Sequence, residues 1–264
     1  MPEISTYTFE SWFKKRVSNS TKSRGKILFF HDTHINFIHP EVGKATVKIL
    51  EAAGYEVEIT NRKCCGRTMI SKGLLDDAKK NVNYNTKLLY DYVEKGIKII
   101  GVEASCVSAM QDEFPDLADE KEKAKKISEN TFTVQDLLIQ IQDDGNQQIN
   151  WNSLDKDLLL FVHCHERALN GTNNSLGSLN LPNKFNAKLI DAGCCGMAGS
   201  FGMEKEHYEI SKKMAEDRLL PSIENSKENQ EIIVTGISCH DQIKDLSHKK
   251  PKYLVEVLAE AIDS

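Results

Sequence analysis

Two stretches of the chain set adjacent cysteines before a glycine: Cys64 and Cys65 in NRKCCGRTMISKG, and Cys194 and Cys195 in DAGCCGMAGSFG. Neighbouring thiols reach one site only where the backbone bends sharply, and Gly66 and Gly196 permit that bend. Three further cysteines complete the set of seven: Cys106 closes GVEASC, Cys164 opens CHERAL, and Cys239 closes TGISC. Thiolates are soft ligands, and four of them suit either an iron–sulfur cluster or tetrahedral zinc. Structural zinc sites draw on C-x-x-C pairs, which are absent here, because Ala109 follows Cys106 and Gln242 follows Cys239 at that spacing. A third chemistry is nucleophilic, with Cys64 or Cys65 as a low-pKa thiolate. His31, His34, His163, His165 and His240 lie near the cysteines in sequence. Imidazole can replace a missing thiolate or donate a hydrogen bond to sulfur. GMAGSFG has the glycines of a phosphate loop but neither its spacing nor its lysine.

The elements that must position these residues come twice. ILFFHDTH (27–34) answers to LLLFVHCH (158–165), CCGRTMISKG to CCGMAGSFG, and IKIIGVEASC to EIIVTGISC. Asp32 precedes Cys64 by 32 positions and Cys164 precedes Cys194 by 30; Cys65 and Cys106 are 41 apart, Cys195 and Cys239 44. Three landmarks in one order predict an internal duplication: an N-terminal extension or linker over 1–24, a first repeat over 25–145 and a second over 146–264. Short apolar runs alternate with amphipathic stretches, the pattern of an α/β fold in which each repeat is a small parallel sheet flanked by helices. The pattern predicts strands over 27–30, 57–60, 98–102, 158–162, 188–190 and 232–235, and helices over 41–53, 74–94, 204–219 and 253–262. DLADEKEKAKKISEN (116–130) reads as a solvated helix face. Cys164, Cys194, Cys195 and Cys239 then fall just past strand carboxyl ends, where open α/β sheets build their sites.

Composition narrows the function. A formal charge of −5 offers no basic surface for nucleic acid. No segment approaches the roughly 18 apolar residues of a membrane span, and the start lacks a secretory h-region, so the expectation is a cytoplasmic protein. An odd cysteine count without a secretion signal argues for metal or redox chemistry over a disulfide framework. Trp12 and Phe13 suit either a partner or the chain's own core.

HPEVGKATVKILEAAGYEV, CCGRTMISKG, GVEASC, HCHERAL and DAGCCGMAGSFGMEKEHYE resemble the twice-repeated cysteine-rich (CCG) domain found in the cysteine-rich polypeptide of heterodisulfide reductase, in the iron–sulfur component of glycolate oxidase and in the lactate-utilisation iron–sulfur proteins. They look most like the version at the C-terminus of FAD-linked D-2-hydroxyacid dehydrogenases, with TFESWF resembling the linker before it. The resemblance implies an iron–sulfur electron-transfer component that takes electrons from an FAD-linked dehydrogenase oxidising lactate, glycolate or a similar acid. It implies a further electron acceptor, and a place on the inner membrane face only through partners. The family supplies five cysteines per repeat. Here the second repeat keeps Cys164, Cys194, Cys195 and Cys239, enough for one [4Fe-4S] cluster, with Gln242 in the fifth place. The first keeps Cys64, Cys65 and Cys106, with Asp32 in the first place and Ala109 in the fifth. An oxygen or nitrogen ligand from Asp32, His31 or His34 would favour zinc, a labile cluster or an empty site there. These departures count against the family's five-cysteine clusters and against disulfide reduction, although a thiol-dependent disulfide reductase component stays among the alternatives, and the chain alone is not expected to oxidise a hydroxy acid. A zinc-binding scaffold and a thiol enzyme remain the alternatives.

Overall fold

A computed structural model describes residues 3–18, 20, 23–145 and 149–262. The chain divides into two compact units, Ile4–Ile149 and Asn150–Ser264. In the first, four parallel strands, β1 (Lys26–Phe29), β2 (Glu56–Glu58), β3 (Ile99–Gly101) and β4 (Thr131–Thr133), pair in the order β2-β1-β3-β4. Strands covered by helices on both faces read as continuous apolar runs: Ile27, Leu28 and Phe29, then Ile99 and Ile100, are fully buried. Helix Pro40–Ala52 opens on a proline, whose missing N–H would be unpaired there in any case, and stops before Gly54 at φ 92°. Helix Leu75–Val93 buries Ala78, Val82, Thr86, Leu89 and Val93 at spacings of three and four, a single inward stripe.

The N-terminal segment belongs to this unit's core. Thr8 caps helix Phe9–Lys15, accepting from the Ser11 N–H, and Phe9 is fully buried with its ring 5.5 Å from Phe29. Trp12 and Phe13 sit beside Phe9, each 5.7 Å from it. Part of the stretch read as a linker thus packs on the sheet. The charged run forms helix Lys121–Glu129, solvated apart from Ala124 and Ile127.

The second unit repeats the plan with β5 (Lys156–Phe161), β6 (Phe185–Leu189), β7 (Gln230–Val234) and β8 (Lys252–Tyr253), all parallel, in the order β6-β5-β7-β8. The fold is therefore two tandem α/β repeats of one topology. In each, the chain leaves the first strand for a neighbour on one side, then crosses to the other. That reversal is the kind of point, outside the carboxyl ends of the strands, at which open α/β sheets bind their ligands. The expected helix over 204–219 is shorter and divided: a 3-10 turn occupies Phe201–Met203, the helix runs Tyr208–Asp217, and Arg218 at φ −140° separates it from Leu219–Glu224. Among the described residues no helix is long and apolar enough to cross a membrane.

Candidate metal centres

In the first unit the chain turns at the end of β1 into Asp32, which caps helix Thr33–Phe37: its Oδ1 accepts from the N–H groups of His34 (2.8 Å) and Ile35 (3.1 Å). Its Oδ2 is buried without a hydrogen-bond partner. Burial, then the nearby Glu103 carboxylate, pushes the Asp32 acid above its usual range. After β2, Gly66 at φ 91° makes the sharp turn that follows the adjacent pair. Asn85, fully buried on helix Leu75–Val93, holds that loop: its Oδ1 accepts from the Lys63 N–H (2.9 Å), and its amide donates to the carbonyls of Lys63 (3.1 Å) and Cys64 (3.3 Å). Beyond β3, Glu103 caps the short helix carrying Cys106. The Cys65 and Cys106 sulfurs meet at 3.0 Å.

The setting opposes ionisation. Cys65 is raised well above an ordinary thiol by its bond to Cys106 and by burial, and Cys64 is raised by its bond to Cys65 and by burial. For Cys106 the bond from Cys65 lowers the pKa, but burial and the Asp32 and Glu103 carboxylates push it up to about 11. Of the expected donors, the structure brings the Cys65 and Cys106 sulfurs into contact, and the Asp32 carboxylate lies near enough to raise the Cys106 thiol; three sulfurs and one oxygen are a donor set of the kind that suits zinc. Among the other expected ligands, His31 turns to the N-terminal helix: its Nε2 meets Glu10 Oε1 at 2.9 Å and its ring lies 5.5 Å from Phe9.

In the second unit the equivalent of Asp32 is Cys164, which opens helix Cys164–Leu169. Capping passes to His163, whose Nδ1 accepts from the His165 N–H at 3.2 Å, while the His163 N–H donates to Thr235 Oγ1 at 2.9 Å and so ties the ends of β5 and β7. Gly196 at φ 90° turns the adjacent pair, and its N–H donates to the Cys194 sulfur at 3.4 Å. Cys239 is buried in helix Ile237–Leu246. Here one thiolate is favoured: the neighbouring Cys164 and Cys195 thiols, then the Gly196 N–H, hold Cys194 far below an ordinary thiol. Cys164 is raised by its bond to Cys194, and Cys195 by its bonds to Cys194 and Cys239. All four cysteines lie just past the carboxyl ends of β5, β6 and β7, and four thiolates are the ligand complement of a [4Fe-4S] cluster.

The fifth positions are closed to ligation. Gln242 is buried and donates to Ser211 Oγ (2.9 Å) and the Ser211 carbonyl (3.3 Å), and Ala109 lies in the apolar core of its unit. Ser211 matters because helix Tyr208–Asp217 presses onto the turn: a Cβ on Gly196 would fall on the Ser211 carbonyl. Sequence reasoning missed Asn85, Gln242 with Ser211, and Thr235 as supports. A buried amide on an otherwise apolar helix stripe was the available signal for Asn85.

The cysteine-rich domain family called CCG matches the chain twice, over residues 29–111 and 158–244. The chain is 27% identical over 266 residues to one of the subunits of the anaerobic glycerol-3-phosphate dehydrogenase of Escherichia coli, covering 99% of this chain and 65% of that protein. It is 24% identical over 247 residues to the D-2-hydroxyglutarate dehydrogenase of Pantoea ananatis (92% of this chain, 23% of that protein), and 25% identical over 229 residues to lactate utilization protein A of Bacillus subtilis (81% and 87%). The chain thus spans a little under two thirds of the first of these relatives and about a quarter of the second. Relatives of these names are dehydrogenases, their subunits or a lactate-utilization protein. With both cysteine pairs lying inside the matched segments, the chain belongs to the CCG cysteine-rich domain family and carries two copies of the domain.

Proposed function

We propose that the protein is an electron-carrying module of a dehydrogenase. In this reading Cys164, Cys194, Cys195 and Cys239 hold an iron–sulfur cluster of the [4Fe-4S] type, and Cys64, Cys65, Cys106 and Asp32 hold zinc, which stabilises the first repeat. The donor is an FAD-linked dehydrogenase that oxidises a small hydroxy acid such as lactate or glycolate; the relatives' names add glycerol 3-phosphate as a second substrate class. The observation that carries the reading is the placement of four cysteines on three loops just past the carboxyl ends of β5, β6 and β7 in one parallel sheet. A cluster there would store one electron at a time. The chain's own part is to hold the ligands, bury two of the four sulfurs, and leave Cys164 and Cys194 half-exposed on the side from which electrons arrive. Exposed Met203, Tyr208, Ile210 and Met214, on the turn and helix that pack against Gly196, offer the donor an apolar contact surface.

The test is anaerobic mixing of the protein with its cognate flavoprotein and hydroxy acid. The proposal expects a brown protein whose visible absorption bleaches only when both are supplied. A colourless zinc protein, or a coloured one that never bleaches, would sink it.

A further inference from the structure

Both repeats face one mechanical problem. The ligand after the first strand and the adjacent pair after the second lie on separate loops, and backbone carbonyls past a strand's end have no ladder partner. In the second unit Arg167, one helical turn beyond Cys164, sends one guanidinium nitrogen to the Ala192 carbonyl at 2.5 Å and the other to the Gly193 carbonyl, the two residues before Cys194. Its guanidinium also lies 5.6 Å from the Phe161 ring at the end of β5. In the first unit the direction is reversed. Arg62, two residues before Cys64, donates through Nε to the His31 carbonyl at 2.5 Å, immediately before Asp32, and lies 5.9 Å from the ring of Phe30. Two arginines at unmatched positions of the two repeats thus span the same gap from opposite sides.

We propose that Arg167 and Arg62 are the positioning residues of the two cysteine sites, each locking the first-strand loop to the loop of the adjacent pair and so fixing the spacing between their ligands. At Arg167 a guanidinium suits this because its planar fork offers parallel donors to two successive carbonyls, whereas an ammonium is a point charge on a flexible stem; Arg62 makes a single such bond, through Nε. Its permanent charge also offsets the repulsion that gathered thiolates create.

The inference rests on the metal-binding reading of the second site, and its test separates the two. Full-length wild type, Arg167→Lys and Arg167→Leu are loaded anaerobically with iron and sulfide, and release to a ferrous chelator is followed under folding conditions together with the visible spectrum. Loss of a group that orients a metal ligand typically weakens binding by about 10- to 100-fold. Arg167→Leu should release iron faster by a factor in that range and show an altered charge-transfer spectrum, and Arg167→Lys should fall between it and wild type. Release rates and spectra equal to wild type in both variants overturn the proposal, even if the unfolding midpoint drops, since that marks a purely structural residue. Should wild type itself take up zinc and no iron, the cluster reading fails, and the same comparison of zinc release still decides the role of Arg167.

Discussion

Asp32→Asn separates the cost of the buried carboxylate from its use. Asparagine caps helices about as well as aspartate, so the bonds to His34 and Ile35 survive while the charge is removed. Asp32 Oδ2 has no hydrogen-bond partner; the amide of asparagine is equally unpartnered there, so the variant removes only the extra cost of burying a charge beside Glu103, about 1–3 kcal/mol. Because the folded-state pKa lies above the unfolded value near 3.8, stability from the protonated acid is full below pH 3.8 and is lost as pH rises through the folded value. Metal-free Asp32→Asn should therefore match wild type in acid and exceed it at neutral pH. For a unit of this size about 1–3 kcal/mol corresponds to roughly 2–12 °C in unfolding midpoint. With zinc added the order should reverse, because the variant has lost its oxygen ligand. Thermal unfolding of both proteins from pH 4 to 8, with chelator and with zinc, provides the comparison. A variant less stable at every pH by the same amount, with unchanged zinc retention, would refute the reasoning and leave Asp32 as a helix cap alone.

Gly66 and Gly196 share a left-handed backbone, at φ 91° and 90°, so alanine at either costs about 1–2 kcal/mol in strain. Only at Gly196 would the new Cβ strike backbone, at Ser211; at Gly66 the nearest atom is Ala78 Cα at 3.6 Å. Iron analysis should therefore show Gly196→Ala losing most of its metal and Gly66→Ala keeping it with slightly reduced stability. Phe9→Ala removes a fully buried ring and should cost the first unit about 3–5 kcal/mol in urea unfolding; a loss below about 1 kcal/mol would return the N-terminal helix to the status of a linker.

The duplication was legible because it is carried by residues with little freedom of type: cysteine, the glycines of left-handed turns, and apolar runs such as Ile27–Phe29. The strands placed on those runs lie within a few residues of their observed bounds. β4 escaped because Thr131–Thr133 holds one apolar residue between two threonines and so offers no apolar run, and β8 because it is two residues long. β6 begins earlier than expected because Phe185 and Ala187 alternate with exposed Asn186 and Lys188, the signature of a half-solvated edge strand. The place of the cysteines just past strand ends was readable, but the surroundings of each site were only half readable. Counting ligands showed a missing thiol in the first repeat, whereas the diversion of His31 to Glu10 and of Gln242 to Ser211 depends on long-range packing that spacing does not encode.

The most direct test of the central claim is metal and sulfide analysis with visible absorption on anaerobically purified wild type, Cys194→Ala and Cys64→Ala. The account predicts about four iron and four sulfide per chain in wild type, most of both lost in Cys194→Ala, and a coloured, iron-containing but less stable and zinc-depleted Cys64→Ala. A Cys64→Ala protein without colour beside a Cys194→Ala protein that keeps it would contradict the assignment and move the electron-carrying site to the first repeat.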